Sequence, residues 1–323
     1  MVPGSAERHG VRVTTRLPAV VERALTEAGY RPGNVIGGGM EGVVVSLGDD
    51  LVAKTWHSRP PEELERLRRF YEAVRDSGLA LSTPTIVRVL AVGDRHATIE
   101  RRLRGRSLRE EMGDRPYELA DADVNCVLEV LAALRGIAPT EPMSSLPVLA
   151  GESAFHPDEP FGSSLAALVE RRVHRFHAVL ARGVPQLSRL VSAVTSRLRA
   201  LTTTHPALVH GDLIPANILV DDVHAATGIL DFGFLSTVGD PRFDAAVAAG
   251  IHDMYGPRGQ INEAVLDAAI VERFGYDQAT LHRYRAAYAL ITSNCFSVSG
   301  SDGHFAWCTA LLNRPVVRRS LEI

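Results

Sequence analysis

The sequence predicts an α+β protein of two lobes, a small N-terminal lobe built on an antiparallel sheet and a larger C-terminal lobe that is mainly helical. Short β-rich runs separated by tight turns are concentrated before Leu103, whereas apolar residues at helical spacing dominate after it. The chain of 323 residues is also long for one domain, because domains usually contain about 100–200 residues. We therefore place the lobes at residues 1–103 and 104–323.

The N-terminal lobe is predicted to contain five strands and two helices. Its strands are β-rich runs bounded by turn residues such as GGGMEG and GDD, near residues 33–37, 43–47, 51–56, 86–92 and 96–103. Its helices have apolar side chains at helical spacing and cover residues 18–29 and 61–77. Strands joined by such short turns form an antiparallel meander.

The C-terminal lobe is predicted to be almost free of strands. Helical patterns cover about 121–136, 163–182, 186–200, 242–254, 262–273 and 278–296. The polar segment GRS at 105–107 is expected to be a hinge between the lobes. The proline-rich stretch 137–162 is long for a loop in a compact domain, which predicts a mobile or substrate-side segment.

Composition excludes several classes of protein. A formal net charge of −3 gives no electrostatic case for a nucleic-acid or membrane partner. Three cysteines without metal-ligand spacing and the lack of a signal sequence or a long apolar run predict a cytoplasmic protein. The 35 basic residues comprise 34 arginines and a single lysine, Lys54. No oligomeric state is predicted.

The first motif is the G-x-G-x-x-G of Gly37, Gly39 and Gly42. A dinucleotide site needs a helix directly after such glycines, whereas VVVSL continues here as a strand. The glycines therefore belong to a hairpin, either a plain turn or one that covers the phosphates of a nucleotide. The next strand contains Lys54 in L-V-A-K, the arrangement in which kinases bind the α- and β-phosphates.

A glutamate on the following helix is expected to hold Lys54 in place. Glu62, Glu65 and Glu72 share one face of that helix, so their spacing does not choose among them. Glu65 is our preferred candidate. The alternative for all three is an ordinary solvated helix face.

The most specific run is L-V-H-G-D-L-I-P-A-N-I-L, which contains His210, Asp212 and Asn217, followed by I-L-D-F-G with Asp231. An aspartate and an asparagine five residues apart on a loop can direct one carboxylate at a hydroxyl and one amide oxygen at a metal. A further aspartate after a strand can bind the same metal.

Together these motifs resemble the aminoglycoside phosphotransferase family, the small-molecule branch of the bilobal protein-kinase-like fold. The match is to H-G-D-x-x-x-x-N, to the aspartate of D-F-G and to G-D-P-x-x-D, which ends at Asp244. Protein kinases have arginine where this chain has Gly211, and they have an A-P-E segment that is missing here. Transfer to a small molecule is therefore favoured over protein phosphorylation.

The resemblance implies a role for each motif. Asp212 is the catalytic base, with His210 and Asp244 as supports of its loop, and Asn217 and Asp231 hold Mg²⁺. The nucleotide, ATP or GTP, is bound by the glycine-rich hairpin and Lys54. Its base is expected to contact the Glu100 carbonyl and the Arg102 amide.

The implied activity is phosphorylation of a hydroxyl on a small molecule, an antibiotic that is inactivated to give resistance. The alternatives are a metabolic kinase of the choline or sugar type and a non-catalytic nucleotide-binding regulator. The region from Asp240 to Gln278 contains seven acids and three arginines, but several acids are expected to be structural, so a polycationic acceptor is not required. This region, 137–162 and 297–304 are expected to line the acceptor site. His174 and His177 are interpreted as a surface pair rather than metal ligands.

Overall fold

The computed structural model describes residues 17–38, 41–113 and 118–323. The chain forms two compact units. The first runs to Asp76 and resumes over Ser82–Arg104, and the second contains Ser77–Leu81 and Gly105–Ile323. The two units are described separately below.

The first unit is a five-stranded sheet with two helices, as the sequence predicts. Its strands are β1 (Val35–Gly38), β2 (Gly42–Ser46), β3 (Leu51–Trp56), β4 (Ile86–Val92) and β5 (Arg95–Arg101). The sheet order is β1-β2-β3-β5-β4 with every neighbouring pair antiparallel. The helices are α1 (Ala19–Glu27) and α2 (Pro61–Asp76).

Apolar packing on α1 stabilises this sheet. Val21 and Leu25 of α1 form one buried cluster with Val45, Ala53 and Ile99 of the strands. Strand β3 is the middle strand of the five. The strand that contains Lys54 is therefore an inner strand of the sheet, because β2 and β5 pair with it on both sides.

The second unit is mainly helical, with short strands between the helices. Its helices are α3 (Leu108–Met112), α4 (Asp121–Arg135), α5 (Phe161–Gly183), α6 (Leu187–Ala200), α7 (Pro241–Ile251), α8 (Gly259–Phe274), α9 (Gln278–Thr292), α10 (Gly303–Leu312) and α11 (Pro315–Ser320). Its strands are β6 (Arg106–Ser107), β7 (Ala207–Val209), β8 (Ile218–Val220), β9 (Ala226–Ile229) and β10 (Thr237–Gly239). An antiparallel-sheet unit followed by a helical unit confirms the predicted α+β class.

Both predicted connecting segments contain regular structure, and the packing of the first opposes the mobile alternative. The proline-rich stretch 137–162 contains a short 3₁₀ helix, and its Met143, Leu146 and Val148 are buried. Leu235 donates its amide proton to the Val148 carbonyl at 2.7 Å, so the stretch packs into the second unit. The predicted hinge, residues 105–107, begins where the chain passes from the first unit to the second, and it includes β6, which pairs with β8.

A buried ionic cluster joins the helices of the second unit. Arg285 of α9 is fully buried and donates to Glu263 at 2.6 Å and to both oxygens of Asp267. His282 lies beside these acids, so the set has the residue types of a metal site. The Arg285 guanidinium already binds both carboxylates, and Arg314 donates to the second oxygen of Glu263. We therefore assign this cluster to structure.

His174 and His177 are exposed on α5. Among the described residues, the group whose spacing could hold a metal ion is Glu263, Asp267 and His282, and it includes neither histidine of α5. Within the same residues, no helix is both long and apolar enough to cross a lipid bilayer.

Replacement of Arg285 by alanine is expected to destabilise the protein strongly. Loss of the guanidinium leaves two buried carboxylates without their partner, which typically costs about 3–5 kcal/mol of unfolding free energy. Chemical denaturation measures this change, and exposed Arg273 of α8 provides the matched control, Arg273→Ala, which is expected to leave unfolding unchanged. Equal stability of the two variants would contradict the assignment.

Candidate active site

The loop after β7 is held by a buried carboxylate. Asp244, in the first turn of α7, accepts the amide protons of His210 at 2.6 Å and of Gly211 at 2.7 Å. Its side chain is buried, and burial raises its pKa to about 6, although the two amide hydrogen bonds oppose the shift. The position of α7 thereby fixes the backbone immediately before Asp212.

His210 organises the loop as a neutral imidazole. Its Nε2 donates to the Leu230 carbonyl at 2.8 Å, and its Nδ1 accepts the amide proton of Asp212 at 3.2 Å. The ring is buried against Phe232, with 4.4 Å between the ring centroids. Burial lowers the pKa of His210 to about 4. His210 therefore positions the Asp212 backbone, and its ring is uncharged at neutral pH.

Gly211 occupies a position that no side chain can share. Its φ is +85°, and a Cβ atom there would lie 2.4 Å from the Phe234 carbonyl oxygen and 2.7 Å from the Leu235 carbonyl carbon. The absence of an arginine between His210 and Asp212 is therefore required by the local backbone.

The two predicted metal ligands lie on segments that are bonded to each other. The Asn217 side-chain amide donates to the Asp212 carbonyl at 2.9 Å, which directs its nitrogen inward and leaves Oδ1 as an acceptor. The Leu230 amide donates to the Asn217 carbonyl at 2.8 Å, and Asp231 is the next residue in the chain after Leu230. Asp231 is exposed and has a φ of +65°. Two oxygen donors of this kind suit Mg²⁺.

Ser236 is a functional candidate that the sequence reasoning missed. Its hydroxyl is fully buried, donates to the His210 carbonyl at 2.6 Å and accepts the Gly233 amide proton at 2.8 Å. It thus ties the segment after Asp231 to the loop that carries Asp212. A small hydroxyl residue five positions after the aspartate of D-F-G is the only sequence signal for it.

The glycine-rich hairpin lies in the first unit. Gly37 pairs with Val44 across β1 and β2, and Gly39 lies outside the described residues. A Cβ atom on Gly42 would lie 1.8 Å from the Thr55 carbonyl oxygen, so only glycine fits where β2 meets β3. The antiparallel pairing of these strands agrees with a hairpin rather than a dinucleotide-binding turn.

Lys54 lies within β3 and is surrounded by charge and an aromatic ring. Its Nζ is 3.6 Å from the Glu41 carboxylate and 4.1 Å from the centroid of the buried Trp56 ring. Arg59 also donates to Glu41, at 2.6 Å, and stacks on Trp56. The Glu65 carboxylate pairs with Arg68 rather than with Lys54, because Glu65 and Arg68 lie one turn apart on α2.

Glu41 was missed because only the acids of α2 were considered as partners of Lys54. The expected base-binding segment also differs from prediction. The Arg102 amide donates to the Asp50 carbonyl at 2.8 Å, so it is not available to a base. The Glu100 side chain is buried and accepts from Thr98 at 2.5 Å.

Comparison with known proteins agrees with this architecture. The profile of the phosphotransferase enzyme family (APH) matches residues 33–286, which is most of the chain. The chain belongs to this family. The prediction of a phosphotransferase with alcohol acceptors is thereby confirmed. A comparison with curated protein sequences finds no match.

Solved structures of other phosphotransferases have the same fold. An aminoglycoside phosphotransferase, APH(3'')-Id from Streptomyces rimosus, is 18% identical, with 84% of this chain and 96% of that chain covered and a TM-score of 0.54. The macrolide 2'-phosphotransferase MphH from Brachybacterium faecium is 17% identical, with coverage of 93% and 99% and a TM-score of 0.58. An APH(2'') enzyme in a GDP and kanamycin complex is 16% identical, with coverage of 93% and 96% and a TM-score of 0.59.

Replacement of Gly211 by alanine is expected to disrupt the phosphotransferase loop. The new methyl group has no space beside the Phe234 carbonyl, so the loop must shift. We expect at least about a tenfold loss of nucleotide turnover, since small misplacement of catalytic groups is costly. Gly151→Ala is the matched control, because Gly151 has a φ of +77° but an open surrounding. Equal turnover in the two variants would contradict the steric argument.

The buried Asp244 is expected to give the enzyme an acid limit near pH 6. Its pKa rises from 3.8 to about 6 in the folded protein. The folded state therefore binds more protons between these values, and the contribution of Asp244 to unfolding free energy falls as pH rises through this window. Below about pH 6 the protonated acid cannot accept both amide protons, so kcat should decrease. His210 has a pKa of about 4 and is therefore already neutral at pH 6, where the acid limb is expected.

The pH profiles of the wild-type enzyme and Asp244→Asn test this assignment. The asparagine cannot titrate, so the acid limb near pH 6 should disappear even though kcat is lower throughout. The free energy of unfolding of both proteins at pH 4.5 and 6.5 provides the control. The stability of the wild type relative to Asp244→Asn should be lower at pH 6.5 than at pH 4.5. An unchanged limb in the variant would assign the titration to another group.

Proposed function

We propose that the protein transfers the γ-phosphoryl group of ATP or GTP to a hydroxyl of a small-molecule antibiotic. The observation that carries this proposal is the hydrogen-bonded loop in which His210 and Asp244 fix the Asp212 backbone. Asp212 is the catalytic base. The D-F-G aspartate, Asp231, adjoins this loop through the bond between Leu230 and Asn217.

The reaction balances with the groups that the chain supplies. The acceptor oxygen forms a bond to the γ-phosphorus, and the bond from that phosphorus to the β,γ-bridging oxygen breaks. The hydroxyl proton moves to the Asp212 carboxylate, and the nucleoside diphosphate leaves. Positioning and electrostatics supply most of the rate enhancement in such transfers. A loop fixed by buried hydrogen bonds is suited to that task.

Asn217 Oδ1 and the Asp231 carboxylate are the proposed ligands of Mg²⁺. When bound, the metal would neutralise charge on the phosphate oxygens. The amide orientation of Asn217 keeps its oxygen available for this purpose, because its nitrogen is committed to the Asp212 carbonyl.

Lys54 and the glycine-rich hairpin are the proposed contacts of the nucleotide phosphates. The lysine is held by Glu41 and by the face of Trp56, which limits its motion. The Glu100 carbonyl remains a proposed base contact. Support for a nucleotide also comes from relatives, since the Streptomyces rimosus enzyme is known in complex with ADP and streptomycin, and the APH(2'') enzyme with GDP and kanamycin.

An antibiotic acceptor is supported by the same relatives, which include enzymes of aminoglycosides and of a macrolide. Inactivation of the drug would then give resistance. A metabolic kinase that acts on a small alcohol is the second candidate. It is favoured by the region 240–278, where six of the seven acids accept hydrogen bonds from the protein itself.

Asp212→Ala is expected to lower kcat at least about a hundredfold, the lower range of general-base contributions. The measurement incubates hydroxyl-bearing antibiotics, sugars and amino alcohols with γ-labelled ATP and GTP and follows label in the acceptor. Asp222→Ala is the control, because Asp222 is an exposed aspartate in the turn between β8 and β9. Unchanged transfer in Asp212→Ala would remove Asp212 from the mechanism, and transfer to amino alcohols or sugars alone would favour the metabolic kinase.

A further inference from the structure

A cluster of aromatic side chains lies in the second unit, at the C-terminal ends of α7 and α9 and on α10. We call Tyr255, Tyr288, Phe296, His304 and Trp307 the aromatic cluster. The Tyr255 hydroxyl is 3.1 Å from His304 Nδ1, and His304 Nε2 is 2.9 Å from the Thr292 hydroxyl. Phe296 meets the His304 ring edge to face at 4.7 Å between centroids, and Trp307 stacks on the same ring at 5.7 Å.

The cluster has a buried layer of side chains and an exposed apolar surface. His304, Trp307 and Tyr288 are buried, whereas Tyr255 and Phe296 are each 43% exposed. Val298, two residues after Phe296, is 72% exposed. Exposed aromatic side chains fixed by hydrogen bonds and stacking are typical of ligand surfaces, since an ordered ring loses little freedom on binding.

This surface lies within electrostatic range of the proposed base. Burial is the main reason that the pKa values of Tyr255 and Tyr288 are raised, and the negative charge of Asp212 raises both further. Besides burial and Asp212, the Cys308 thiol and the Asp302 carboxylate raise the pKa of Tyr255. A molecule whose hydroxyl is presented to Asp212 therefore has the aromatic cluster close by.

The acids of the region 240–278 do not form a surface for a polycation. Six of its seven acids accept hydrogen bonds from the protein itself, namely Asp240, Asp244, Asp253, Glu263, Asp267 and Asp277. Four of them are buried. A buried and hydrogen-bonded carboxylate cannot also bind a bulky ammonium group of a ligand. Most of the negative charge of this region is thus used for folding.

Asp302 is the carboxylate beside the cluster with binding capacity left. Its Oδ1 caps α10 by accepting the Phe305 amide proton at 2.8 Å. Its Oδ2 is buried and has no hydrogen-bond partner among the described residues. None of the ion pairs among the described residues involves Asp302, so its charge is balanced only by the N-terminus of α10.

We infer that the acceptor is an alcohol with an apolar ring system that packs on Tyr255 and Phe296, and that it carries at most one positive charge, directed at Asp302. This inference rests on the proposed function and narrows its substrate class. It favours neutral or singly cationic ring-bearing alcohols over polycationic sugars. Phe296 and Tyr255 supply the apolar contact, and Asp302 sets the preferred charge.

The test uses hydroxyl compounds in matched sets, with an apolar ring system or a polyol of equal size and with no, one or three amino groups. Phe296→Ala should raise the acceptor KM of ring-bearing alcohols about tenfold, the effect of losing one buried aromatic contact. The nucleotide KM should not change. Asp302→Asn keeps the helix cap and should remove the preference for one amino group over none. Val316→Ala, at a side chain that is 41% exposed on α11, is the control.

The outcomes separate this inference from the proposed function. Transfer to ring-bearing alcohols that weakens in Phe296→Ala supports both. Best transfer to triamines, or equal kinetics in Phe296→Ala and Val316→Ala, overturns the inference while the phosphotransferase function stands. If no compound accepts phosphate, the proposed function fails. Calorimetry of the same sets with the wild-type protein then decides the inference, because preferential binding of polyamines would overturn it and ring-dependent binding would support it.

Discussion

The bonds from Asp244 to the amides of His210 and Gly211 are the constraint on which the site depends. Removing a carboxylate from water is costly, and two short hydrogen bonds and the N-terminus of α7 offset that cost here. Once these amides are fixed, the His210 carbonyl accepts the Ser236 hydroxyl proton, and the His210 ring accepts the Asp212 amide proton. One buried charge therefore sets the loop on both sides of Gly211.

The same constraint explains why the loop needs no contact from outside. Protein kinases place arginine at the position of Gly211, whereas here the Phe234 carbonyl and Leu235 occupy that space. Order in the loop is therefore built permanently into the fold, through Asp244 and Ser236, and does not depend on a charge that is added and removed. A protein that acts on small molecules has no need for such a switch, and the local packing agrees with that.

The larger helices and the five-stranded sheet could be predicted because their apolar periodicity extends over enough residues. Strands β7 to β10 were mostly missed, since three or four residues are too few to show alternation. Helix α10 was missed because GHFAWCTALL is apolar around most of its surface, so it has no helical stripe. The residues of H-G-D and D-F-G were predictable from spacing. Glu41 and Ser236 were not, because their partners lie far away in the chain and only folding brings them together.

Composition predicts a binding surface poorly where some charged residues serve folding and others serve binding. The acids between Asp240 and Gln278 suggest an electronegative surface when counted, but in the structure Glu263 and Asp267 neutralise Arg285 and Asp244 binds backbone amides. Each such acid is removed from the surface field, because its charge is matched within a few ångströms. Asp302 lies outside that region in sequence and yet keeps an oxygen without a partner. The charge that a ligand meets is therefore set by which carboxylates the fold leaves unsatisfied, and the number of acids in a segment does not determine it.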